Sequence, residues 1–395
     1  MDFTVKYDIA VVGAGIAGVA AALAAARRGH KVVLIEKQTI IGGLATSGLI
    51  YIYLPLCDGY GNQVIKSIPE ELLLKSMEFS QFDLHQKWNG ANISKIKKRS
   101  DRYRVEFSPA GFTLTLDEML LEAGVDLWLD TRVCAVQKSG DKVTALEVEN
   151  TSGRGVIQAG AFVDASGEAI VVRRADGAVE SDYNSLSLWM IESTPEAEQA
   201  AYYFGGSLMV RSLKFSDNDI QPGAGMSGKE VTAYTQRCYK HLREFYRESY
   251  KKLSRYEHYP VHLPAMQQFR KIAAAKCQYM LNTGDAGKYF EDSVGLTGDW
   301  RHPAPVWETP LRSLIPESMD GVFTAGRCMG TIGEAWEVYR VIPTAAMTGE
   351  AAGVAAALTL ETNCESRSLD YKIVQDALRK NNVPLHLDEI NQQPK

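Results

Sequence analysis

Gly13-Ala14-Gly15-Ile16-Ala17-Gly18 is the stretch of this chain whose residue types and spacing carry the most chemistry. It reads G-x-G-x-x-G. Gly13 permits a tight turn, Gly15 lets a pyrophosphate approach the backbone, and Gly18 lets a helix pack close to a strand. A helix beginning there turns free N–H groups and the positive end of its dipole toward a phosphate. Glu36 stands 18 residues beyond Gly18, where a carboxylate accepts hydrogen bonds from ribose hydroxyls. The pattern recurs at Gly223-Ala224-Gly225-Met226-Ser227-Gly228, but the residues before it, Lys214 to Asp219, are polar. Ser227 and Glu230 form a capping box, so the second match reads as a loop and helix cap. No second dinucleotide domain, and hence no NAD(P)H site, is expected.

Other reactive residues are scattered. The six cysteines, at 57, 134, 238, 277, 328 and 364, include no Cys-x-x-Cys pair, which points to reduced thiols in a cytoplasmic protein and away from zinc, iron–sulfur or disulfide chemistry. His258 and His262 have metal-ligand spacing, but Pro260 lies between them and disfavours a shared helix. No metal is expected. Cys57-Asp58-Gly59 reads as a turn. His302, following Trp300 and Arg301, is a candidate general base.

These groups need elements to hold them. Residues Ile9 to Ala26 form an uncharged run of 18 residues, long enough to raise the question of a membrane span. Its three glycines and the lack of a preceding positive segment argue instead for a buried strand over Ile9–Val12, a glycine turn, and a small-residue helix ending at Arg27 and Arg28. A β-branched run from Lys31 to Ile35 completes a βαβ unit. Three alternating runs, 132–138, 143–149 and 155–163, read as a β-meander. Residues 181–300 are rich in aromatics, and apolar positions from Val231 to Tyr256 recur with a helical period. Pro343 suits the first turn of a helix running to Leu360.

Gly42-Gly43 within Ile41 to Gly48 suggests backbone passing close to something flat or charged. From this point the sequence resembles the FAD-dependent oxidoreductase family, glutathione-reductase-like Rossmann flavoproteins whose bacterial members are largely uncharacterised. The resemblance covers roughly residues 7–60, 105–180 and 260–360. It rests on Glu36-Lys37, Gly42-Gly43-Leu44-Ala45-Thr46, Leu116 to Val133, Val163 to Gly167, and the C-terminal run Thr309 to Pro316, Val322 to Cys328 and Glu334 to Thr344. One departure stands out: many relatives carry a histidine where this chain has Gly333.

The resemblance implies FAD as cofactor, held by residues 13–18, by Glu36 and Lys37, and by Gly42 to Thr46. It adds Val133 beside the adenine, Ala165-Ser166-Gly167 beside the ADP moiety, Gly326 and Arg327, and Val341, Ile342 and Ala345 at the start of the Pro343 helix. That helix N-terminus would face the flavin N1–C2=O edge, where charge gathers on reduction. Arg340 could reach the same edge or hold an anionic substrate. Arg270 resembles a family arginine that anchors a substrate oxygen. Arg340, Arg270, His302 and Glu334 are the catalytic candidates.

With 43 Lys+Arg against 48 Asp+Glu over 395 residues, the net charge is −5. No general basic field favours nucleic acid or an anionic membrane. The expected architecture is α/β: a discontinuous FAD-binding domain with its β-meander (1–180 and 300–362), an inserted α+β substrate or cap domain (181–299), and a C-terminal tail (363–395). The expected function is hydride transfer between a small or medium organic substrate and flavin N5. Two alternatives stand beside it, an FAD-dependent RNA-modifying protein and a flavoprotein subunit that needs a partner.

Overall fold

Ile9–Val12 is the central strand of a five-stranded parallel sheet in the order Val322–Thr324, Ala161–Asp164, Ile9–Val12, Val32–Ile35, Asp126–Trp128. The computed structural model describes residues 1–60, 62–84, 103–215, 224–303 and 305–390. Gly223 and the polar residues 216–219 lie outside them. All four residues of Ile9–Val12 and of Val32–Ile35 are buried, because elements cover both faces of the sheet and leave no solvent side for a polar residue.

The small-residue helix spans Ile16–Ala26. Its composition has a packing cause. The long helix Ile342–Glu361 crosses it so closely that a Cβ on Gly349 would lie 2.1 Å from the Ala17 carbonyl oxygen, and one on Gly353 2.3 Å from that of Ala21. Among the described residues no single helix is long and apolar enough to cross a membrane.

The meander forms from Arg132–Ser139, Lys142–Asn150 and Gly153–Gln158. The run expected over 155–163 is two strands. The Asp8 carbonyl accepts from both Gly160 N (2.9 Å) and Ala161 N (3.2 Å), and the chain crosses there into the parallel sheet. Phe3–Lys6 joins the meander parallel to Gly153–Gln158, a pairing with no signal in its short, half-exposed sequence.

Tyr203–Gly205, Leu208–Lys214, Ser187–Ser193 and Tyr259–His262 make an antiparallel sheet. Helix Gly228–Ser249 carries the expected Ser227–Glu230 capping box. It buries Tyr234, Cys238, Leu242 and Tyr246 and stops at Ser249, short of the expected Tyr256. The buried Glu192 ties it to the sheet, accepting from Tyr246 Oη (2.9 Å) and Arg211 Nε (2.7 Å) and lying 3.1 Å from His258 Nε2. His258 is therefore a core residue. Among the described residues no three His, Cys, Asp or Glu groups converge as metal ligands.

The expected tail is packed structure over its described part. Helix Tyr371–Lys380 buries Val374, Ala377 and Leu378, and Gln375 Nε2 donates to the carbonyls of Glu291 (2.8 Å) and Ser293 (3.0 Å). Near it, Glu350 is buried on the long helix, accepting from Ser67 Oγ (2.6 Å) and Ile68 N (3.2 Å). Burial raises its carboxyl pKa to about 7. A carboxyl raised in the folded state stabilises the fold below its unfolded pKa, and that contribution is lost as pH climbs toward 7. Glu350→Gln should therefore remove a loss of at most about 3 kcal/mol between pH 4.5 and 7. Denaturant midpoints of both proteins across that range are the check, and parallel pH profiles would disprove it.

Candidate functional site

The sheet's strand ends open onto one cleft, of about 1030 Å³ including its mouth. Its floor is the glycine turn, where each glycine has a distinct task. Gly13 has φ +94°, and a Cβ there would lie 2.7 Å from Ser166 Cα. A Cβ on Gly18 would lie 1.8 Å from the Gly13 carbonyl oxygen, so this glycine serves the strand–helix contact. A Cβ on Gly15 would meet no protein atom within 4 Å. Gly15 thus borders open space in the cleft. It sits at the N-cap of Ile16–Ala26 with extended backbone, so the first-turn N–H groups of that helix border this space. This is the fit expected of a pyrophosphate.

Glu36 lines the cleft at the end of Val32–Ile35. It accepts from Ala14 N (2.8 Å) and Gln38 N (2.9 Å), which holds the carboxylate rigidly and leaves lone pairs for a ribose. Burial raises its pKa, against the opposing pull of these N–H groups. Across the turn, Gly42 N donates to the Ala14 carbonyl (2.7 Å), and a Cβ on Gly43 would come within 3.1 Å of Gly15 Cα. The Gly42-Gly43 strap thus closes over the turn, with Leu44 and Ala45 continuing the wall.

The opposite wall holds Val133, Ala165, Ser166 and Gly167. Lys37 Nζ meets Glu168 Oε1 at 2.6 Å at the rim. At the far end stand Gly326, Arg327, Arg340, Ile342 and Ala345. The helix expected at Pro343 spans Ile342–Glu361 with Val341 as N-cap, so its positive end faces the cleft. Of the expected cofactor residues, Ala14, Gly18, Thr46 and Val341 do not line it. Ala14 and Gly18 shape the turn, the Thr46 hydroxyl donates to the Ile41 carbonyl, and Val341 caps the helix.

The catalytic candidates separate. Arg340 lines the cleft, paired with Glu337. Arg270 is strapped beside it: Phe269 O accepts from Arg327 Nη1, and Lys271 Nζ lies 3.4 Å from Glu337 Oε1. His302 and Glu334 do not line the cleft. The His302 side chain is 58% exposed near Asp299, and that of Glu334, 53% exposed in the first turn of Gly333–Tyr339, pairs with Arg301. Each was close in sequence to the cleft, but the chain turns its side chain outward. Burial pushes the Cys277 thiol up to about 12 and that of Cys328 up as well, so neither offers a thiolate. Asp58 instead organises its turn, accepting from Tyr60 N (2.7 Å) and Asn62 N (3.1 Å).

Sequence reasoning missed Thr131, Arg132, Glu168, Ile170, Arg174 and Met266 on the lining. Arg132 and Glu168 adjoin residues that were found, and contiguity could have supplied them. Met266, far along the chain from the glycine turn, had no local signal.

The family model for FAD dependent oxidoreductases matches residues 8–297 and 244–378. A dihydrolipoyl dehydrogenase of Chlorobaculum parvum is 28% identical over 199 residues, 49% of this chain and 37% of that protein. A tRNA uridine 5-carboxymethylaminomethyl modification enzyme of Buchnera aphidicola is 34% identical over 109 residues, 26% of this chain and 16% of that one. The chain thus spans well under two thirds of either relative. A geranylgeranyl bacteriochlorophyll reductase-like protein of Thermoplasma acidophilum shares the fold, with a TM-score of 0.50 and 16% identity over 96% of this chain and 83% of that one. The family match runs through the cleft and agrees with its geometry: the chain belongs to the FAD-dependent oxidoreductase family, and is an enzyme with FAD as its cofactor.

Proposed function

We propose that the protein transfers a hydride between a small or medium organic substrate and N5 of its FAD. The observation that carries this reading is the continuous cleft lined by the glycine turn, Glu36, Met266, Arg327 and Arg340. Bound there, FAD supplies the two-electron chemistry itself. The residues of this chain bind and orient. Glu36 is placed for a ribose, and the open space at Gly15 together with the helix N-terminus for the pyrophosphate. Arg340, paired with Glu337, and the N-terminus of Ile342–Glu361 border the same cleft, and they would stabilise the negative charge that reduction adds to a flavin held between them.

The experiment is anaerobic mixing of the holoprotein with a panel of organic acids, alcohols and amines, read as bleaching of the flavin absorbance. Rapid bleaching by a panel member and only slow, unsaturable bleaching by NADH and NADPH is the expected outcome. Fast, saturable bleaching by a nicotinamide alone would overturn it. In the same assay Arg340→Ala should retain FAD while lowering its midpoint potential and slowing reduction. An unchanged potential with unchanged turnover would make Arg340 structural.

A further inference from the structure

The end of helix Gly228–Ser249 and the strand that follows it expose large apolar side chains beside a concentration of positive charge. Tyr250, Tyr256, Tyr259, Val261 and Leu263 are all exposed, Tyr256 at 76% and Val261 at 48%. Tyr259–His262 is the last strand of its sheet, bonded on one side to Ser187–Ser193 and exposed along all four residues. Exposed apolar groups gathered in one place mark an interaction site more often than scattered ones do. Between Gly228 and Leu263 the chain carries eight lysines and arginines against four glutamates, an excess of four positive charges in a chain whose net charge is −5.

That charge has a direction. Tyr234, Cys238, Leu242 and Tyr246 face the core, and Lys240, Arg243 and Arg247 recur at spacings of three and four on the outer side of the same helix. Lys251, Lys252 and Arg255 carry the exposed basic series past the helix end. The Arg255 guanidinium stands 4.9 Å from the centre of the Tyr256 ring. Lys251 pairs with Glu248, but both side chains are 68% exposed and such a pair holds its charges loosely. The turn between helix and strand is fixed from below. Buried His258 meets Ser249 Oγ through Nδ1 and lies 3.1 Å from the Glu192 carboxylate through Nε2, which holds the turn that carries Tyr256 against the helix end and the sheet.

We propose that this face docks on an anionic lipid surface, lying on it without spanning it. Tyrosine suits the headgroup level, its ring toward the acyl chains and its hydroxyl toward water. Val261 and Leu263 supply aliphatic area, and the lysines and arginines reach headgroup phosphates while their stems cover apolar surface. The negative charge of the rest of the chain confines the attraction to this one face. Two other partners fit less well. Pro260, in the middle of the edge strand, has no N–H to give, which disfavours pairing with the strand of a second copy. Val261 and Leu263 offer no ring on which a nucleic-acid base could stack. The proposal is independent of which substrate the cleft takes.

The test is co-sedimentation of the FAD-loaded protein with vesicles of phosphatidylcholine alone and of phosphatidylcholine mixed with phosphatidylglycerol, at low and at high salt. The mixed vesicles should bind the protein at least about tenfold more tightly than the neutral ones and release it at high salt. Lys251→Glu together with Lys252→Glu should weaken that binding by about tenfold or more. Tyr256→Ser together with Val261→Ser should weaken it by about fivefold or more with the charge unchanged. All four positions are exposed, so flavin content and melting temperature should stay those of the unaltered protein. The comparison of the two vesicle types needs no variant and stands whatever the variants do to the fold. The proposal fails if neither vesicle binds, if both bind equally, or if either folded double variant binds as the unaltered protein does. A dimer held by this face, or retention of a single-stranded oligonucleotide there, with no vesicle binding would assign the face to those partners and overturn it.

Discussion

Gly15→Ala should leave the flavin-free protein as stable as before and weaken FAD by at least about a hundredfold, or roughly 2.7 kcal/mol. The added methyl meets no protein atom within 4 Å, and its backbone (φ −69°, ψ 175°) suits alanine. Its only neighbour would be the phosphate that the turn is shaped to admit. Gly18→Ala is the control, because a Cβ there would stand 1.8 Å from the Gly13 carbonyl oxygen and would damage the fold itself. Thermal melts of the flavin-free proteins and FAD titrations distinguish the two. Equal loss of stability in both variants would mean that Gly15 is a packing glycine after all.

The second large effect is predicted far from any cofactor atom. Gly349→Ala should destabilise the protein by roughly 3 kcal/mol, at the upper end of what overpacking costs. The clash falls on backbone, with the new Cβ 2.1 Å from the Ala17 carbonyl oxygen, so no side chain can swing aside to relieve it. Because Ala17 belongs to the fingerprint helix and Ala345, one turn before Gly349, lines the cleft, FAD affinity should fall with stability. Chemical denaturation with and without FAD gives both numbers. A midpoint unchanged by the substitution would disprove the close helix crossing.

What the sequence made legible follows from where its signals are local. The glycine fingerprint, the two buried strands and Glu36 sit within 28 residues of one another, and each constrains the next: a tight turn needs Gly13, close packing needs Gly18, and a both-sides-buried strand needs an unbroken apolar run. The Pro343 helix was legible for a similar reason, since a proline near the start and a long run of small residues define its ends and its neighbour. Long-range placement was not legible. Glu334 and Arg340 are six residues apart, yet the short helix Gly333–Tyr339 turns one outward to Arg301 and the other into the cleft. His302 was drawn in by its position in the chain, and its exposed setting beside Asp299 could not be read from the residues around it. Met266 and Ser47 meet through a backbone hydrogen bond across more than 200 residues, a contact that no periodicity encodes. The break at Gly160, which divides an apparently single apolar run between two sheets, depends on the carbonyl of Asp8 and so on a partner 150 residues away.

The most direct test of the account is the flavin released from the purified protein by heat, identified by chromatography and counted against protein. The cleft predicts FAD, near one per chain, with none of the shorter FMN, because Glu36 and the open space at Gly15 address the ribose and pyrophosphate that only a dinucleotide carries. A colourless protein that takes up no FAD on reconstitution, or one that holds FMN instead, would contradict it.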